Sequence, residues 1–175
     1  MLAELALPSA TRTLADVRLH NDARAIHNLT SLAKMRAAAK YTRVRVYADL
    51  AAETFVLQAF DKTTGNWVAD DLQQTLSTNV DFSFDTLPAP PSDTQAAIGQ
   101  APACKAVDGV TDIANTACIV FNSRGIPVDA NGNPDGNGAF YVTDHSTGVY
   151  GVTVSATPLV RLWWSPTSNT AWAHK

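Results

Sequence analysis

An α+β fold, with one long N-terminal helix laid on antiparallel sheet, is what this sequence predicts, and three observations carry the expectation. Between Ser9 and Lys40 no glycine or proline interrupts an apolar repeat in steps of three and four. From Thr42 onward the period changes to two. The extended runs that follow are short, bounded by turn residues, and never alternate with further helices, so a βαβ build is excluded.

The helix is expected to start at Ser9, whose hydroxyl follows Pro8 and suits an N-cap. Leu19, Ala23, Ile26, Leu29 or Thr30, Ala33 and Ala37 form its buried stripe, and Arg12, Arg18, Arg24, Lys34, Arg36 and Lys40 decorate the rest. Some 32 residues make about 48 Å of helix. A small domain does not cover that length, so part of the helix is expected to project; the alternative is a helix lying wholly across its sheet.

Strands follow. Thr42–Ala48 alternates, with Val44 and Val46 on one face and Arg43, Arg45 and Tyr47 on the other. Thr54–Phe60 is a second strand, and Asp61–Asn66 with Gly65 is its turn. Trp67 and Val68 resume extended structure, and Val80–Phe84 alternates strictly. Residues 85–103 are a Pro-rich loop, too polar and broken for a core element. Ala117–Phe121, Ala139–Thr143, Val149–Ser155 and Leu159–Trp164 complete some seven strands, with a Gly/Asn/Asp loop at 129–138. The organisation expected is a helical stalk, 1–40, and a β-domain, 41–175.

With 175 residues, 46% of them hydrophobic, the chain is sized for one domain with a real core. Two cysteines exclude a disulfide-dense scaffold and a four-cysteine zinc site. The net charge of −3 is uneven: residues 1–50 carry eight basic and four acidic side chains, and residues 51–100 one basic and seven acidic. The last 75 carry four basic and five acidic. The basic character is thus confined to the helix and first strand, which argues against a general nucleic-acid coat.

Several stretches together resemble the soluble part of a type IV pilin-like protein, of the minor pseudopilin H / FimT-type family in type II secretion and type IV pilus systems. Ala6–Ser9 is similar to the segment after the membrane half of a pilin helix. Asp22–Arg24, Leu29–Ala33 and Met35–Ala39 resemble the family's AR-x-L-x-x-L-x-x-A-R-x-x-A helix. Arg43–Val46 stands where the first family strand begins, Ile119–Phe121 with Gly125 is similar to its I-x-F-x-x-x-G element, and Val160–Leu162 lies near its last strand. A full pilin starts with a leader ending in Gly, then Phe-Ser/Thr-Leu-x-Glu and about twenty apolar residues. Met1–Leu5 has none of this, and is expected to replace a membrane half that lies outside this sequence.

The resemblance implies a structural component of a short periplasmic filament and no enzyme. It implies no cofactor, no small-molecule substrate and no nucleic acid. Its partners would be other pseudopilins, met through the N-terminal helix, and the inner membrane. Leu19, Ile26 and Leu29 are the expected helix-packing residues, and Arg12, Arg18 and Arg24 the expected filament contacts. In a periplasmic protein Cys104 and Cys118 would pair, tethering the Pro-rich loop to the sheet; two independent buried thiols are the alternative.

Other constellations carry less. Asp129, Asn131, Asn133 and Asp135 alternate as oxygen ligands do, but Pro134 stands where an EF-hand begun at Asp129 needs glycine. Begun at Asn131, the loop places Val142 where the bidentate Glu belongs. A calcium-dependent binding module is therefore the lesser reading, and a turn the greater. Asp16, His20 and His27 share one side of the helix without a fourth ligand and read as a solvated face. Asp144–Ser146 is triad-like only in composition and reads as a hairpin turn. DNA uptake is a further alternative, but the family's Gly-Arg-x-Arg is missing. Only Arg161 stands near Trp163 and Trp164, one of which is expected in the core.

Overall fold

The computed structural model describes residues 7–167 and 171–175, with side chains from residue 11 onward. These residues form one helix, α1 (Leu7–Lys40), and ten strands. The strands are β1 (Val44–Asp49), β2 (Thr54–Asp61), β3 (Asn66–Ala69), β4 (Gln74–Thr75), β5 (Thr116–Phe121), β6 (Pro127–Val128), β7 (Ala139–Thr143), β8 (Val149–Val154), β9 (Val160–Ser165) and β10 (Ala173–His174). The first sheet runs β3-β2-β1-β5-β6, with β4 also on β2, and the second runs β10-β9-β8-β7. Every strand pairing is antiparallel. The α+β expectation holds.

The helix is 34 residues, about 51 Å. Leu7 is already helical, so Ser9 is not the helix boundary; its hydroxyl, like Met1–Leu5, lies outside the described residues. The other end stops at Tyr41, in the left-handed region at φ 50°, with the Thr42 amide reaching back to the Ala37 carbonyl at 3.3 Å. That is a Schellman closure built without glycine. Asp70, at the end of β3, takes Arg36 at 3.1 Å and also Lys40, pinning this last turn.

One core lies between the helix and both sheets. Leu19, Ala23, Ile26, Leu29, Ala33 and Ala37 are buried in it, and Thr30 is buried beside them with its hydroxyl on the Ile26 carbonyl. The first sheet supplies Val44, Val46 and Ala48, with Leu57, Phe55, Ile119, Phe121 and Ala117 directly opposite across the register. Residues paired across antiparallel strands share a face. The second sheet supplies Phe140, Val142, Tyr150, Val152, Val154 and Leu162. Gly125 turns the chain between β5 and β6 at φ +73°, where a Cβ would stand 3.0 Å from the Lys34 carbonyl oxygen.

Three expectations need correction. Val80–Phe84 makes a single bridge, Asp81 to Thr143, and bends at once through a Ser83 amide to Asp81 carbonyl bond. It cannot extend along β7, because Gln100 already holds both the amide and the carbonyl of Tyr141 through its side chain. The two-residue strands β4, β6 and β10 were not foreseen; they are too short for any periodicity. The Pro-rich loop is irregular as expected, yet it does enter a core: Leu87 joins Ala139, Tyr141 and Val149 in a second buried cluster, with Phe84, Ile98 and Trp172 against it. Among the described residues no helix is long and apolar enough to cross a membrane.

Candidate functional site

The helix is spent differently along its length. From Leu19 to Ala37 its apolar stripe is consumed by the domain's own core, so Leu19, Ile26 and Leu29 have no free surface for a neighbour. Residues 11–18 are exposed apart from a half-buried Ala15, and they display Leu14 at 56% and Val17 at 47% exposure. Arg12, Arg18 and Arg24 are exposed and make no ion pair among the described residues. Asp22, between them, is engaged inward: it accepts the Ser77 amide at 2.8 Å and the Ser77 hydroxyl at 3.0 Å. Burial pushes its carboxyl pKa up against those two bonds.

Cys104 and Cys118 are bonded, with Cα atoms 4.9 Å apart. The bridge ties the middle of β5 to the end of the Pro-rich loop, where the Cys104 amide is also held by the Thr116 hydroxyl.

The loop candidates resolve into turns. The Asp129 carboxylate accepts the amides of Asn131 and Asn133, both at 2.8 Å, and these bonds lower its pKa. Its oxygens are thus engaged by the turn that Asn131, Asn133 and Asp135 belong to. No group of three or more His, Cys, Asp or Glu residues suited to a metal occurs among the described residues. His20 leaves the helix face for the Tyr150 hydroxyl, 3.1 Å away, while His27 stays beside Asn28 and Asp16 is exposed.

In the β7–β8 hairpin, Asp144 holds the turn by accepting from the amides and hydroxyls of Ser146 and Thr147. His145 turns away from Ser146, with Nε2 2.9 Å from Asp81 and Nδ1 2.5 Å from Asp85. Those two hydrogen bonds raise its pKa. No local pattern reveals this clamp, because its members are some sixty positions apart in sequence. On β9, Trp164 packs against the core, whereas Trp163 bonds the Thr153 hydroxyl and meets His174 edge-on; Arg161 is half-buried.

The outer face of the first sheet carries a cleft of about 360 Å³. One wall is the disulfide loop and another the turn at Asp129–Asp135. Its floor holds Arg43, Arg45 and Trp67. Arg45 lies 4.2 Å and Arg43 5.7 Å from the Trp67 ring centroid, and Arg43 also lies 4.3 Å from that of Phe60. Desolvation lowers the Arg45 pKa to about 10, and neighbouring Arg43 acts in the same direction. Strand alternation does place the two arginines on one face of β1, but nothing local shows that Trp67, two strands away, lies beneath them.

No protein-family model matches the sequence, and no curated protein matches it. Solved structures do. The minor pseudopilin EpsH from the type 2 secretion system of Vibrio cholerae aligns at TM-score 0.52 and 13% identity, covering 83% of this chain and 95% of that one. A second EpsH structure aligns at TM-score 0.53 and 12% identity, covering 85% and 97%. The long helix on two antiparallel sheets is therefore a pilin-like fold, similar to that of EpsH.

Proposed function

We propose that this chain is the periplasmic part of a minor pseudopilin, a structural subunit of the short filament of a type II secretion system. The observation that carries the reading is the division of its helix. The stretch from Leu19 to Ala37 is welded to the sheets, whereas residues 11–18 touch the β-domain only along Ala15 and Arg18 and expose Leu14 and Val17 on the face that Arg24 shares, with Arg12 exposed on the other side. Such a surface suits side-by-side packing with the helices of other pseudopilins, and Arg24 would extend the contact along the exposed face. The likeness to EpsH supports the assignment over most of the chain. The disulfide supports an oxidising compartment. An apolar extension of the helix, outside this sequence, would anchor the subunit in the inner membrane. The work of such a subunit is assembly, with no catalytic residue.

Deleting the gene in the cell that encodes it tests this directly. Export of folded proteins across the outer membrane should stop and return with the wild-type gene. A Leu14→Glu/Val17→Glu variant, which leaves the core untouched, should be made at normal levels yet fail to restore export. Undiminished export in the deletion strain overturns the proposal.

A further inference from the structure

We propose that the cleft on the outer face of the first sheet binds a peptide segment that presents one carboxylate flanked by apolar side chains, the carboxylate seated on Arg43 and Arg45. Arg45 is only 4% exposed. Its Nε donates to Gln58 at 2.8 Å and an Nη to the Lys105 carbonyl at 2.7 Å, so both visible partners are neutral. Among the described residues no carboxylate pairs with it or with Arg43. Arg45 is thus a buried guanidinium without an ion-pair partner, which is costly to keep unless something supplies one, and exposed Arg43 stands over the same indole beside it. A carboxylate does so with charge-assisted, bidentate geometry.

The surroundings select the occupant. Val120 and Val128 line the cleft, Val107 lies at its rim, and Val110, 77% exposed, lies on the same disulfide-closed loop. Apolar groups beside the charge would therefore be buried on binding. A polyanion such as nucleic acid is disfavoured, because Asp129 and Asp135 line the cleft too and Lys105 is already paired with Asp112 at 2.7 Å. Strand addition at the β6 edge beside the cleft is closed as well, where the chain folds back through the Val128–Pro134 bridge. The segment would be held by its side chains. This inference stands on the cleft alone and does not depend on the pseudopilin reading.

The test is an NMR titration of the 15N-labelled protein with acetyl-Leu-Glu-Leu-amide, acetyl-Leu-Gln-Leu-amide and inorganic phosphate, each to about 10 mM, a range that reaches millimolar affinities. The Glu peptide should shift the Trp67 indole N–H and the Arg45 Nε–H saturably. The Gln peptide and phosphate should each bind at least about tenfold more weakly, a difference of ~1.4 kcal/mol. Arg43→Gln, at an exposed position, should weaken the Glu peptide about tenfold while the remaining spectrum keeps its native dispersion. Absence of shifts, equal binding of the Glu and Gln peptides, phosphate binding as well as the Glu peptide, or an unaffected Arg43→Gln variant each overturns the proposal.

Discussion

The two sheets bury their inner faces in the same core, but their outer faces have opposite fates. On the second sheet Ala139, Tyr141 and Val149 point away from the helix and are nonetheless buried, roofed by Phe84, Leu87, Ile98 and Trp172. On the first sheet the equivalent outward positions carry Arg43, Arg45, Tyr47 and Gln58, and the face is covered only in part, by the disulfide loop over Arg45, leaving a cleft beside it. Residue chemistry explains the difference. An apolar outward face needs a cover, and a Pro-rich chain provides one without helix or strand. A cationic face with long aliphatic stems stacks on aromatic rings and tolerates water.

The largest expected effect tests that contrast. Tyr141→Ala, under the roof, should cost about 3–5 kcal/mol in urea unfolding, as large core aromatics do. Tyr47→Ala, on the open face, should cost about 1 kcal/mol or less. Equal losses would mean that the roof is only draped over the sheet. Next in size is the disulfide, which joins the end of the roofing loop to the open sheet. Replacing both Cys104 and Cys118 with alanine should cost about 3 kcal/mol for a loop of this length. The same loss should appear in wild type under reductant and be absent from the double variant, as urea midpoints would read.

The contrast also explains how much was legible in the sequence. The helix stripe and the inner face of β1 obey a period, and both are buried as the period requires. Leu87 and Trp172 obey none; their burial depends on where an irregular loop and a distant C-terminal segment come to rest. At β7 and β8 every position is buried, so alternation within the strand does not reveal which face the loop covers. The Arg–Trp floor of the cleft was half readable, since alternation pairs the arginines but not the strand that brings Trp67. Gly125 stands in a family-like motif for a physical reason: a left-handed turn pressed against the helix backbone. Gly125→Ala should therefore cost about 1–2 kcal/mol, from left-handed strain alone, with further loss if Lys34 cannot yield. A thermal melt at neutral pH measures it.

The smallest effect concerns where the roof begins. His145 grips Asp81 and Asp85 just before the chain crosses to Leu87, and the Thr143 hydroxyl also donates to Asp85 at 2.8 Å. The clamp raises the folded-state pKa of His145 above its unfolded value of about 6.5. A raised pKa means that the folded state holds the proton more tightly. The stabilisation is then complete below the unfolded value and fades as pH climbs through the folded one. Because the imidazole is half exposed, solvent screening limits the gain to under about 1 kcal/mol. His145→Gln should thus melt earlier than wild type near pH 5.5 and almost level with it near pH 8.5, on the far side of the histidine range. A gap that stays constant across that range would show that His145 holds the roof by shape rather than by charge.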